Sequence, residues 1–484
     1  MLDIRWLGLL AACARDPAPG APSTGSTSSV LLPSCAANEA IPAVLHCTWS
    51  STAAGAGFVE FWREADAAAV SATPQGPVST THDAAVLGLK AGETYEYRVV
   101  VQTPDTRIEG AIGQHVVPDV PADFPVLTLE SVDLQRSELA GGYLLLAMAV
   151  FEPSRFTVIA IVDGEGDYVW WTRTGSEGLA IAPRFSRDGR SVRFLETDMT
   201  WSEDLGTIHR LSLDGTDAAD TRALLGHHAV WENADGTLTW LGFDYQTFDG
   251  VDWASDALRT APEGSGDDVP PTEEFSWFDA YQADPWEPDP GEALVSLGDG
   301  IEWTHSNSLM AIDDTSFYVM SKKLDCLLKI DRASGAIVWQ LGGFFSDFTH
   351  PDGTAVWASL GDNDLFSHAH MSQLWDGGMV VFDNGDYHQP RVSSAVEYAF
   401  NEGGRTVEEV WRYEEPDGGH TASMGDVRKL AGGNYLVAWS SLGYASEVTP
   451  AGEVIWKLRM GSEGHFGRVT PLTDLFDPPG GAVP

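Results

Sequence analysis

The chain has 484 residues, more than one ordinary domain holds, and 71 acidic against 28 basic residues give a formal net charge of −43. That balance excludes a nucleic-acid binder, which needs a basic face, and any anionic substrate must be met by local positive charge from His or Arg. Abundant Gly (50), Pro (27) and Trp (18), with few long helical periods, predict an all-β chain rich in turns.

Residues 1–13 contain the apolar run Trp6-Leu7-Gly8-Leu9-Leu10-Ala11-Ala12-Cys13. It resembles a bacterial lipoprotein signal, cleaved before Cys13 with the lipid added to Cys13. Residues 14–32 are rich in Pro, Gly, Ser and Thr, the composition of a flexible tether. The expected location is therefore outside the cytoplasm, on the outer membrane facing the periplasm or the cell surface, held by the lipid alone. In an exported chain Cys35 and Cys47, which flank a candidate strand, are expected to form a disulfide. Cys326 sits in the apolar run Leu324-Asp325-Cys326-Leu327-Leu328 and reads as a core thiol. Four scattered cysteines make no zinc pattern.

Residues 33–118 read as short strands. Tyr95, Tyr97, Val99 and Val101 alternate as a half-buried strand does. The run Leu89-Lys90-Ala91-Gly92-Glu93-Thr94-Tyr95 leading to Val99 resembles a late strand of fibronectin type III domains, which implies a small Ig-like β-sandwich serving as spacer or interaction module. A proline-punctuated linker, Val117 to Phe124, follows.

From residue 125 to 476 a unit recurs: a Gly turn, an apolar strand, and in the clearest copies a closing Gly-x-Val-x-Trp-like strand. Copies begin near Gly141, Asp188, His227, Trp303, Gly377 and Gly432. About six such units predict a β-propeller of four-stranded blades, because an isolated blade cannot bury both faces and a ring can. The closing Trp residues are then core between blades. The acidic, Pro-rich span 261–291 breaks the period and is expected to be an insertion. The terminal Gly464 to Leu472 is a candidate strand to complete a blade.

Histidines stand near the start of several units. His227-His228 opens the third, His305 with Asn307 the fourth, and Ser367-His368-Ala369-His370 the fifth. Phe382-Asp383-Asn384-Gly385 ends a strand ahead of Arg391, and His420 lies in a Gly-rich turn before the sixth. The first strand of each propeller blade lines the axis, so residues entering these strands are able to converge. Neutral imidazole is a nucleophile near pH 7, a second His can protonate a leaving oxygen, and Arg offers a donor fork to an oxyanion. For His227, His388 and His465 the plain reading is a solvated or hydrogen-bonding turn residue; His228 is the better candidate among these turn histidines. Asp362-Asn363-Asp364 offers clustered oxygens for calcium, but a surface loop is the simpler reading, and neither metal nor cofactor is expected.

Trp303-Thr304-His305-Ser306-Asn307-Ser308, the Phe382-Asp383-Asn384-Gly385 run with Arg391 after it, Gly335-Ala336-Ile337-Val338-Trp339-Gln340-Leu341-Gly342-Gly343, and Gly433-Asn434-Tyr435-Leu436-Val437 together resemble the bacterial arylsulfotransferases. The likeness spans about residues 125–473. It implies a six-bladed propeller that moves sulfate from a small aryl sulfate to a phenol without a nucleotide donor, through a transiently sulfated histidine. By motif, His305 with Asn307 matches the family's His-x-Asn. His370, with His368 as the alternative, matches the His before Phe-Asp-Asn-Gly. Arg391 matches the Arg after that motif, and His420 the sulfated His. His228, His368, Asn307 and Asn384 are then substrate-binding candidates. Two departures stand out: Ser321-Lys322-Lys323 where Ser-Arg is expected, and the extra Tyr387-His388-Gln389-Pro390 before Arg391. The competing expectations are a non-catalytic surface propeller that binds protein or glycan, and a hydrolase or lyase on the same scaffold.

Overall fold

A computed structural model describes residues 31–198, 206–281, 296–297, 300–356, 358–359, 362–461 and 464–477. Cys13 and the tether up to residue 30 lie outside the described residues. Six β-sheets follow one another around an axis as the blades of a propeller. Their second strands are buried on both faces, as in Ser316–Ser321, Gly378–Asp383 and Tyr435–Trp439. Stacking of neighbouring blades is what makes such continuous apolar strands possible.

Blade one is Tyr143–Val150, Phe156–Asp163 and Tyr168–Arg173, with the C-terminal strand Gly464–Leu472 added on its inner side. Blade two runs from Arg184–Phe185 to Ala218–Arg222, and blade three from Gly226–Glu232 to Thr272–Ser276. Blade four runs from Ser306–Met310 to Ala336–Gly342, and blade five from His370–Trp375 to Thr406–Glu414. Blade six is Asp426–Lys429 to Val454–Met460, with Leu127–Val132 added outside. Both ends of the propeller chain thus join blades built mainly from the other end, which closes the ring.

The closing tryptophans pack as expected. Trp171, Trp339 and Trp456 are buried, while Trp411 is part-exposed and stacks on Tyr435 of the next blade at 3.6 Å. Cys326 is fully buried, and burial pushes its thiol well up, as suits a core residue. One expectation needs correction. The span from 261 is not an insertion throughout: Thr272–Ser276 pairs with Val251–Pro262 as a strand of blade three, and a helical turn, Trp277–Tyr281, follows. Its Phe275, Trp277 and Phe278 are buried between blades, an apolar demand that the acidic flanks hide in the sequence. Residues 282–291 lie outside the described residues.

Residues 34–116 form one seven-stranded sheet. Its long strand, Leu45–Arg63, pairs with Val78–Val86 along its first half and with Thr94–Gln102 along its second, with the register shifting between Ser50 and Gly55. A disulfide joins Cys35 to Cys47. Trp49, Val59, Phe61, Tyr95, Val99 and Val101 share one apolar cluster with Leu144, Met148 and Trp456 of the propeller. Lys90 pairs with Asp163 and Asp167, and Asn38 donates to the carbonyl of Gly215.

Candidate active site

Four non-glycine residues with positive φ stand at equivalent places, where the chain enters the inner strands of blades three to six: His228 (54°), His305 (46°), His368 (55°) and Met424 (57°). Left-handed backbone is costly for such residues and collects at functional sites. In blades three to five a register shift follows at once, between His227 and Val230, Ser306 and Ser308, and His370 and Ser372. Each bulge re-aims a side chain at the strand's start. This repeated turn, rather than the histidine itself, brings residues of different blades together.

The rings meet. His305 lies 5.1 Å from His228 and 6.5 Å from His370, edge to face in both cases. His227 stacks on Phe243, reaches Asp256 with Nε2 at 3.1 Å and faces Nδ1 of His228 at 2.9 Å. His305 is about a fifth exposed and donates from Nδ1 to the Glu302 carboxylate. Lys323 holds the other oxygen of Glu302 at 2.8 Å. His368 donates from Nδ1 to Asp386 at 2.7 Å, and Nε2 of His420 holds the second oxygen of Asp386 at 2.6 Å. A carboxylate partner requires the nitrogen facing it to carry the proton. In neutral His305 and His368 the lone pair therefore resides on Nε2.

Charge is arranged around these rings. Burial first, then His305, His227, His370 and Lys322, holds His228 well below the ordinary imidazole range. Burial first, then Lys322, pushes His370 down to about 3, against the pull of its Asn384 bond. Both rings are neutral at pH 7. Burial would raise the Glu302 carboxyl, but His305 and Lys323 more than offset it and hold it below the carboxylate range. Asp386 is likewise held low by His368, Lys322 and His420 against the effect of burial.

Several motif residues take other places than expected. Arg391 is exposed in the loop after Pro390 and makes no hydrogen bond or ion pair with the described residues, because the extra four residues before it carry the chain outward. The cation beside the rings is Lys322, whose charge is felt by His228, His370 and Asp386 and whose backbone N–H donates to the His305 carbonyl at 3.0 Å. Asn307 donates its amide to the Ala369 carbonyl at 2.9 Å, tying blade four to blade five. Asn384 accepts from His370 Nδ1 at 2.7 Å and donates to the carbonyls of Thr421 and Met424, so it orients a histidine. His388 pairs with Asp383, and His465 packs on Phe151. The side chains of Asp362 and Asn363 lie outside the described residues, and Asp364 is paired with His350. Glu302 and Asp386 had no signal in the sequence beyond adjacency to motif residues, and Asp256, in the middle of Val251–Pro262, had none. Lys322 was visible as the departure at Ser321-Lys322-Lys323.

A six-bladed propeller with carboxylate-oriented histidines near the start of its inner strands, and Lys322 and Lys323 just past the end of Ser316–Ser321, is a scaffold for handling a small anionic group. Residues 134–464 match the arylsulfotransferase (ASST) family, and the chain belongs to that family. It is accordingly a transferase of the aryl-sulfate class, with small aryl sulfates and phenols as substrates. None of the curated proteins matches. Among solved structures it is similar to a Bacteroides caccae protein of unknown function (10% identity, TM-score 0.33, covering 75% of this chain and 96% of that one). It is also similar to apo AztD from Citrobacter koseri (11%, 0.28, 66% and 69%) and to a Synechocystis apocarotenoid oxygenase mutant (9%, 0.29, 66% and 68%). Likenesses this distant carry no argument about chemistry.

Proposed function

We propose that the protein moves a sulfuryl group from a phenolic sulfate ester to a phenol by a ping-pong route through a sulfohistidine. The observation that supports this most is the pair of histidines, His305 and His368, each with Nδ1 held by a buried carboxylate. Nε2 of one of the pair attacks sulfur, the S–O bond to the aryl group breaks, and the aryl oxygen leaves as the phenolate, which takes its proton from solvent. The acceptor phenol then gives its proton to a neutral ring such as His370, its oxygen attacks the same sulfur, and the N–S bond breaks. Lys322 balances charge on the sulfuryl oxygens, the role the family resemblance gave to Arg391. Glu302 and Asp386 stabilise the positive charge on the sulfated imidazole. His420, expected from the resemblance to be the sulfated residue, is assigned a positioning role: it holds the second oxygen of Asp386 and so fixes the carboxylate that orients His368. Leu179, Ile181, Met371 and Met424 form a buried apolar cluster, and Met371 follows His370 in the chain.

We further propose export, lipidation at Cys13, and a fibronectin-like spacer role for the N-terminal sheet. The test of the reaction is release of a chromogenic phenol from its sulfate ester. Release that needs an added acceptor phenol supports the transferase; equal release into water alone contradicts it.

A further inference from the structure

Three arginines line the inner strands of blades two, six and one: Arg184, Arg428 and Arg468, with 9%, 6% and 1% of their surface exposed. The strands are tied at these residues. Backbone N–H of Arg468 donates to the Ile181 carbonyl at 2.7 Å, and Val469 N–H donates to Asp426 Oδ2 at 3.0 Å. The same oxygen accepts from Arg428 Nε at 3.2 Å. Arg184 donates to the Leu309 carbonyl at 2.7 Å across the channel and lies over the Trp231 ring at 4.8 Å. Nε of Arg184, Nη2 of Arg428, and Nε and Nη2 of Arg468 find no hydrogen-bond partner among the described residues. Buried guanidinium donors left unpaired are costly, and three on neighbouring strands more so.

We propose that the channel carries a second anion site, built by Arg184, Arg428 and Arg468, that takes a small inorganic dianion of the sulfate type. Charge sets the class: three guanidiniums against the single carboxylate of Asp426 leave two positive charges, which a dianion cancels and a halide does not. The donor set agrees: four unpaired nitrogens on three neighbouring inner strands, beside the one unpaired oxygen of Asp426, outnumber what the protein supplies as acceptors, and a tetrahedral oxyanion offers several. Burial first and then the other two arginines lower Arg184, and burial first and then Arg428 push Arg468 down to about 9, a mutual repulsion that a bound dianion removes. The site is separate from the histidines. Leu309 is the fourth residue of the strand Ser306–Met310, which His305 precedes, roughly 10 Å along the channel from the strand's start. The charge partners differ too, being Lys322, Glu302 and Asp386 for the histidines and Asp426 for the arginines.

The test does not depend on sulfuryl transfer. Crystals of the intact chain soaked in selenate are expected to show an anomalous selenium peak among the three guanidiniums. A peak confined to the histidines, or none at the arginines, overturns the proposal. In equilibrium dialysis with labelled sulfate, Arg468→Gln is expected to weaken one binding event by more than about tenfold, the size of a lost charge-assisted hydrogen bond. The His305→Ala/His370→Ala double variant is expected to keep that event. Arg428→Lys serves as a second variant should Arg468→Gln fail to fold. Wild-type sulfate binding in the arginine variants contradicts the site.

Discussion

On the proposed route Lys322 is the residue on which the transfer chemistry most depends, because the buried rings of His228 and His370 are neutral and Arg391 is elsewhere. Lys322→Met is expected to lower kcat/KM for an aryl sulfate by about 100- to 1000-fold, the range for losing one preorganised donor to developing charge, while Lys322→Arg recovers most of it. Steady-state kinetics on the two variants, with their melting curves, check this. The buried rings also set an acid limit. The folded-state pKa values of His228 and His370 lie below the unfolded value of 6.5, so below that pH the unfolded chain takes up protons that the folded chain refuses. Stability is then present above pH 6.5 and lost on acidification, by up to about 1.4 kcal/mol per pH unit for each such ring. Glu302, Asp256 and Asp386, also depressed, lose their contribution only below the ordinary carboxylate range. Denaturant midpoints between pH 7.5 and 5 are expected to fall in the parent protein and to fall less in His370→Gln.

Among the elements, Gly464–Leu472 has the most to do: it is the inner strand of blade one and carries Arg468 to the axis. Phe466 and Val469 are fully buried in the cluster that joins blades one and six to the N-terminal sheet. Phe466→Ala is expected to cost about 3–5 kcal/mol, and deletion of residues 464–484 to prevent cooperative folding; calorimetry of both variants checks this. The period of apolar strands and closing Trp residues made the blades readable, since blade stacking imposes that pattern on every copy. Even this terminal strand, Gly464 to Leu472, was readable from its composition. Thr272–Ser276 was not, because its buried Phe275 stands between acidic and Pro-rich flanks that resemble a loop. For the site, the turn histidines were legible as strand starts, but not the partners of their rings. Nothing in the spacing of Glu302 or Asp386 says that the turn at φ near 50° points a ring at them. Arg391 was misplaced because motif order does not measure the outward path of four added residues.

For the molecule as a whole, a formal charge of −43 surrounds a channel whose inner residues include Lys322, Arg184, Arg428 and Arg468. The exterior repels an anionic donor at long range while the channel attracts it at short range. Salt screens the first effect more than the second, since the Debye length shortens to about 8 Å at physiological ionic strength. Raising salt from low to physiological strength is therefore expected to raise kcat/KM for an aryl sulfate severalfold; a fall would mean that attraction from the mouth dominates. The most direct test of the central claim is peptide mass analysis after exposure to an aryl sulfate with no acceptor. A sulfated peptide carrying His305 or His368, discharged when phenol is added, is the predicted result. Acceptor-dependent turnover with no sulfated histidine at either position contradicts the account.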